Sequence, residues 1–235
     1  MPKKLTISQL NKIGERLRKG SESEEDLRLL DEFRLSFGPA YQQTFDVLNA
    51  LGLKTGGREG KTTESIRAKL VREGTRLSKM QDIAGCRVEV DHLIQQDLVV
   101  SDLKARWPQA RIYDRRVTPS SGYRAVHLVV EVDGHLVEIQ VRTSLQHIWA
   151  STTEKLSDVL DSQIKYGGGP EILRKHLQVF SDAIAEFESI EKEYSEVLGQ
   201  ISEPEGGRLQ QISAKLDAQK LRLKSLCEKL IMTVQ

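Results

Sequence analysis

Three carboxylates on separate stretches of this chain are of a kind that does chemistry together. Asp82 stands at the entry of the run IAGCRVEV, Glu138 lies inside HLVEIQVRT, and Glu154 lies in TTEKL. Carboxylates from distant elements can share a hard cation such as magnesium, which takes oxygen ligands and keeps waters for substrate phosphates. A basic stretch accompanies them: residues 54–79 hold eight Lys/Arg (54, 58, 61, 67, 69, 72, 76, 79) against three Glu (59, 64, 73). Acids for a metal beside cations for a phosphate chain suit phosphoryl-type transfer, where catalysis is mostly positioning and charge stabilisation. A solvated basic helix face accounts for the second feature equally well. The residues alone support a nucleotide-handling magnesium site and no further detail.

The elements that must position these groups are legible in the pattern. The segment 120–143 reads as two strands, 123–132 and 136–142, joined at Asp133-Gly134, a strong hairpin signal. Period-two alternation puts Val137, Ile139 and Val141 on one face of the second strand, and Glu138, Gln140 and Arg142 on the other. The first strand separates Val126, Leu128, Val130 and Val132 from Tyr123, Ala125, His127 and Val129. One face makes a core, while the other collects a carboxylate, an amide, a guanidinium, an imidazole and a phenol. Arg87 joins it from the polar face of the strand 83–90. An exposed antiparallel face can look like this with no function.

Around the hairpin, residues 6–19 and 24–51 are periodic as helices, with Leu27, Leu30, Phe33 and Phe37 on one stripe. KTGGREGK reads as a loop. It leads to a helix capped at Thr62 or Thr63, on which Ser65, Lys69, Arg72 and Arg76 share a face. A helix ending near Pro108, a short edge strand over 110–117 and a PSSG turn precede the hairpin, and Ser144 is placed to cap the helix after it. The tail carries apolar residues at threes and fours, from Leu173 to Ile201 and from Leu209 to Leu230, around EPEGG at 203–207. Residues 170–205 hold nine acids and three bases, and 206–235 six bases and two acids. Two complementary helices packed on each other follow, with an oligomer or partner surface as the sharper alternative. The organisation expected is an N-terminal helical segment over 1–53, a core over 54–169 and a helical hairpin over 170–235.

Lys+Arg number 35 against 34 Asp+Glu, so no global field argues for nucleic acid or a membrane surface. No apolar run is long enough to span a bilayer, and the first residues lack the apolar core of a secretory signal, so a cytoplasmic location is expected. Cys86 and Cys227 are too few for a disulfide framework or a zinc site, and read as buried or incidental thiols.

Four strings, RLSKMQDIAGCRVEV, SGYRAVHLVVEVDGHLVEIQVRTSLQHIWA, TTEKL and IKYGGG, resemble in order and spacing the synthetase domain of the RelA/SpoT-homology family, the alarmone synthetases, between residues 45 and 168. Small stand-alone members are the nearest in size. The resemblance implies an α/β (α+β) fold: a nucleotidyltransferase-like mixed sheet flanked by helices, with N-terminal helices and the C-terminal pair. It also implies magnesium-dependent transfer of the β,γ-pyrophosphate of ATP to the 3′-hydroxyl of GDP or GTP, giving (p)ppGpp and AMP.

By position, the resemblance makes Asp82 a magnesium ligand, and Glu138 a second metal carboxylate that activates the acceptor hydroxyl. It makes Tyr123 the ring that stacks on guanine, Arg58 and Arg87 the pair sandwiching adenine, and Lys61, Ser65 and Lys69 the ATP-phosphate contacts. His127, Gln140, Arg142, Glu154 and Lys165 fall on family positions around the acceptor and the site wall. Where the family usually reads Gly-Arg-x-Lys, residues 57–61 read Gly-Arg-Glu-Gly-Lys, one residue longer. No His-Asp pair of the family's hydrolase domain is present, so alarmone degradation is not expected. The alternative within the family is the same transfer to adenosine nucleotides or the 3′ end of tRNA by a growth-arresting toxin, with 54–79 and 104–116 as tRNA contacts. A non-catalytic nucleotide sensor whose tail binds a partner is the alternative outside it.

Overall fold

A computed structural model describes residues 5–198 and 206–232, with side-chain surroundings for 5–196 and 210–226. Its elements are α1 (Ile7–Lys19), α2 (Glu24–Leu35), α3 (Gly38–Ala50), β1 (Lys54–Arg58), α4 (Thr63–Glu73), β2 (Ala84–Val90), α5 (Leu93–Arg106), β3 (Arg111–Asp114), β4 (Val126–Val132), β5 (His135–Thr143), α6 (Ser144–Val159), α7 (Glu171–Leu198) and α8 (Gly206–Met232). One sheet runs in the order β1-β2-β5-β4-β3. The expected α/β architecture, with helices before the sheet and after it, is the observed one.

The chain divides into two compact units, and the division runs through β2, β3, β4 and β5. Unit 1 holds residues 5–88, 107–112 and 128–140. Three of its four helices start where side chains can take up the free amides: Thr6, Ser23 and Thr62 each accept from the amide three residues on. Helix α1 packs on α4 and on the short turn Leu77–Lys79, and α3 packs on β1. Ile13, Leu17, Leu30, Leu48, Ile66, Leu70, Leu77, Ile83, Leu128 and Ile139 are fully buried.

The long helical pattern over 24–51 is broken in two. Pro39 sits in the first turn of α3, and a proline further inside a helix would lack an amide and clash with the carbonyl four residues back. The segment read as a loop at 54–61 begins as the edge strand β1. Its glycines serve closeness there: a Cβ at Gly57 would stand 2.5 Å from the Gly85 carbonyl oxygen and 3.1 Å from Cys86 Cα. Arg76 falls beyond α4, so the shared helical face reduces to Ser65, Lys69 and Arg72.

Unit 2 holds residues 89–106, 113–127 and the described residues from 141 onward. Thr143, one residue earlier than expected, caps α6, accepting from the Gln146 amide while the Gln146 side chain returns to the Thr143 amide. The strand expected from residue 123 begins at Val126, because Tyr123 pairs back on Ser120 in a tight turn. Helix α6 packs against both α7 and α8, so the tail helices bury their stripes on α6 as well as on each other. Leu145, Trp149, Leu156, Leu177, Ile184 and Phe187 form that core, and Leu216 and Leu223 pack against it. Lys220 of α8 reaches Glu191 of α7 at 2.8 Å, a contact of the expected charge complementarity. Ile201 and the connector 203–205 lie outside the described residues, as do the side chains of Leu198, Leu209, Cys227 and Leu230. Among the described residues, no helix is long and apolar enough to cross a membrane.

Candidate functional site

In unit 1, three cations converge on one buried carboxylate. Asp82 lies just before β2, where the Lys61 amide donates to the Ile83 carbonyl at 2.7 Å and ties the two segments together. Lys61 Nζ is 2.7 Å from Asp82 Oδ2, and Lys69 Nζ, one turn beyond Ser65 on α4, is 2.9 Å from Oδ1. The Arg58 guanidinium donates to the Asp82 carbonyl at 3.3 Å and stands 3.9 Å from Oδ2. The extra residue in the 57–61 loop is thus absorbed, with Arg58 and Lys61 on the same partner. Ser65 belongs to the capping turn, its amide donating to Thr62 Oγ1.

Burial by itself pushes the Asp82 carboxyl up, but the charges of Lys61 and Lys69 and the hydrogen bonds they donate outweigh it and hold the group at about 2. Burial also pulls the Lys61 ammonium below its ordinary value, with Asp82 opposing and Arg58 and Lys69 reinforcing the fall. The Asp82 shift comes from the excess of positive charge over a single carboxylate, the Lys61 shift first from burial. Glu73, 3.9 Å from Lys69 and more exposed, offsets part of it.

Glu138 stands on β5 across from Gly85 of β2, where a Cβ would come within 3.3 Å of the Glu138 carbonyl. Gln140, two residues on and therefore on the same face, donates its amide to Glu138 Oε2 at 2.7 Å. Arg87 projects from β2, the strand next to the one that ends in Arg58.

Unit 2 gathers a second group. The Arg142 guanidinium donates through Nε at 3.2 Å and through a terminal nitrogen at 2.9 Å to the Tyr123 hydroxyl. It also lies over the edge of the Tyr123 ring, 5.0 Å from the centroid. A phenol oxygen accepting from a guanidinium keeps its own proton to donate, and His127 Nε2 lies 2.8 Å away to receive it. The two rings meet edge to face, 5.6 Å apart. Lys165 sits in the short turn Ile164–Tyr166, its ammonium 5.4 Å above the Tyr166 ring.

Glu154 is exposed on α6, one residue off the buried face formed by Trp149, Thr152, Thr153 and Leu156. Among the described residues no three acidic, His or Cys side chains gather to hold a metal ion. The donor chemistry for a hard cation rests on Asp82 and Glu138, of which Asp82 is held ionised as a ligand must be. Cys86 is buried and its thiol is pushed up to about 12, which leaves it inert.

Sequence reasoning missed the residues that hold the Tyr123 turn. Arg124 donates to the Arg116 carbonyl at 2.8 Å and to Ser181 Oγ at 3.1 Å, and Arg116 is paired with Asp97 and Asp114. One signal was present: Ser181 and Glu188 interrupt the apolar stripe Leu177, Ile184 at positions where a core residue belongs.

Comparison with known proteins finds similar sequences and folds. Residues 57–157 match the family model described as "Region found in RelA / SpoT proteins". An uncharacterized protein of Mycobacterium tuberculosis is 38% identical over 117 residues, 48% of this chain and 43% of the relative. GTP pyrophosphokinase YjbM of Bacillus subtilis is 34% identical over 140 residues, 54% of this chain and 62% of the relative. The chain thus spans less than two thirds of the length of these curated relatives. The crystal structure of the small alarmone synthetase 1 from Bacillus subtilis bound to its product pppGpp aligns over 75% of this chain and 100% of its own, with a TM-score of 0.59 and 25% identity. Residues 57–157 are thus similar to the region found in RelA / SpoT proteins.

Proposed function

We propose that this chain is an ATP-dependent pyrophosphokinase, transferring the β,γ-pyrophosphate of ATP to the 3′-hydroxyl of GDP or GTP to yield (p)ppGpp and AMP. The observation that carries this reading is the excess of cations, Arg58, Lys61 and Lys69, around Asp82. A polyphosphate is the kind of anion that neutralises such a surplus. The resemblance to YjbM, a GTP pyrophosphokinase by name, and to a structure bound to pppGpp supports the nucleotide class. In this reading the stretch 54–169 is the synthetase core, with the helices of 1–53 and 170–235 as its supports.

Lys61 and Lys69 bind phosphate oxygens, and Asp82 with Glu138 would be the oxygen ligands to hold magnesium. The metal, when bound, supplies charge neutralisation on the transferring group. Glu138 accepts the proton of the acceptor hydroxyl, and Gln140 fixes its carboxylate by the bond to Oε2. Arg58 and Arg87 offer planar guanidinium faces to adenine, and Ser65 joins the phosphate contacts. Tyr123 stacks on the acceptor base, oriented through its hydroxyl by Arg142 and His127. Glu154 and Lys165 fall on family positions around the acceptor and the site wall.

The test is product analysis with purified protein, ATP, magnesium and a panel of GDP, GTP, GMP, ADP and tRNA. AMP together with a 3′-pyrophosphorylated guanosine nucleotide is the expected result. Product on ADP or on tRNA alone would replace the acceptor, and no product from a folded chain would remove the reading. Glu138→Gln is expected to lower turnover about 10²–10⁴-fold, the range for a general base, without loss of nucleotide binding.

A further inference from the structure

Helix α7 lies beyond the residues that match the family region, yet two of its buried polar side chains grip both ends of the Tyr123–Arg142 group. We infer that Ser181 and Glu188 are positioning residues for the acceptor-binding side chains, a role that rests on the reading of Tyr123 and Arg142 given above.

Ser181 is 1% exposed. Its hydroxyl donates to the carbonyl of Gly122, the residue before Tyr123, at 2.5 Å, and accepts from Arg124 Nε, the residue after it, at 3.1 Å. One hydroxyl thus bridges the two neighbours of the stacking ring. The turn is built to meet the helix. Gly122 has φ +84, and a Cβ there would come 2.8 Å from the Trp149 ring and 3.1 Å from Ser181 Cβ, so backbone lies flush against α7 where another residue would hold it off. Trp149 is itself tied to α7 by an indole hydrogen bond of 2.9 Å to the Leu177 carbonyl.

Glu188, seven residues and two turns further on, shares the same face of α7. It is 3% exposed, and burial raises its carboxyl above the ordinary value, with the bonds from Thr143 and Gln146 opposing. Thr143, the residue after Arg142, donates its hydroxyl to Glu188 Oε1, and Gln146 Nε2 donates to Oε2 at 3.0 Å. Gln146 in turn accepts from Gln96, which also donates to the Val141 carbonyl on the other side of Arg142, at 2.8 Å. Backbone on both sides of Arg142 is therefore fixed by one buried network that ends on α7. Polar groups at these depths in an apolar stripe make the contact specific, since an aliphatic residue would pack as well but hold nothing in register.

The test uses the full chain with Ser181→Ala, Glu188→Gln and, as a control on exposed surface, Val179→Ala. The first two are expected to raise the KM for the guanosine acceptor about tenfold, a loss of about 1.4 kcal/mol at 25 °C, with the KM for ATP unchanged. Ser181→Thr, which keeps the hydroxyl, should recover at least part of the loss. Amide hydrogen exchange, read without any activity, should quicken at residues 122–124 in Ser181→Ala and at 142–146 in Glu188→Gln, while residues 61–70 keep wild-type protection. Equal changes in both KM values, or unaltered exchange at both segments, would overturn the inference. Faster local exchange in the variants, together with no product from the unaltered chain, would sustain the clamp and remove the pyrophosphokinase reading instead.

Discussion

The Lys61 ammonium lies 2.7 Å from Asp82 Oδ2, with side-chain exposures of 10% and 12%. A pair this sheltered is poorly replaced by one of its halves, because stripping one partner leaves a buried charge unmatched. Asp82→Asn is therefore expected to cost about 3 kcal/mol in urea unfolding as well as turnover. The double variant Lys61→Met with Asp82→Asn should recover most of that stability and none of the turnover. A double variant as unstable as the single one would show that the pair is not the source of the loss.

The pH dependence of that pair has a definite sign. The Asp82 carboxyl is depressed from 3.8 to about 2, so its contribution is complete above pH about 4 and disappears as the pH falls through about 2. Its size is about 2 kcal/mol by the shift. Unfolding of the native chain and of Asp82→Asn at pH 2–5 should show stability curves that converge toward pH 2. Curves that stay parallel would contradict an ionised, lysine-paired Asp82.

Tyr123 combines a ring and a hydroxyl with separable tasks. Tyr123→Phe keeps the ring but removes the acceptor to which Arg142 donates twice, and should destabilise unit 2 by about 1–3 kcal/mol. Tyr123→Ala removes the stacking surface too and should weaken the guanosine acceptor by a further 1–3 kcal/mol or so. Acceptor titration and thermal melts of the two variants separate the tasks. Equal acceptor affinities in Phe and Ala variants would remove the ring from the binding site.

Gly57→Ala tests the close approach of β1 to β2. The added methyl would stand 2.5 Å from the Gly85 carbonyl oxygen and 3.0 Å from the Tyr41 ring. Pushing the edge strand away should cost about 1–3 kcal/mol by overpacking, and should raise the KM for ATP by displacing Arg58, the next residue. A neutral melt with unchanged KM would mean that the strand end yields freely.

The sheet was legible because its strands announce themselves twice, by alternation and by the turn at Asp133-Gly134, whose φ values of 49° and 73° are those of a tight hairpin. Helix starts were legible where a short polar side chain can satisfy an orphan amide, as at Thr62. KTGGREGK failed because glycine signals a turn and a close backbone approach with the same letter, and only the neighbouring strand distinguishes them. The cap moved from Ser144 to Thr143 because two adjacent hydroxyl residues compete for one role and the return bond of Gln146 decides it.

Taken alone, the order of residues determined the α/β architecture, the resemblance over the core and the identities of the candidate groups, since periodicity and short motifs are local properties. Partnership was decided by the tertiary structure. Which cations surround Asp82, that Glu154 turns outward, and that Ser181 and Glu188 grip the chain beside Tyr123 and Arg142 depend on contacts between residues 13 to 59 positions apart or on which helix face packs inward. The lysine charges that hold Asp82 ionised and the burial that lowers Lys61 exist only once those distant segments have closed around them.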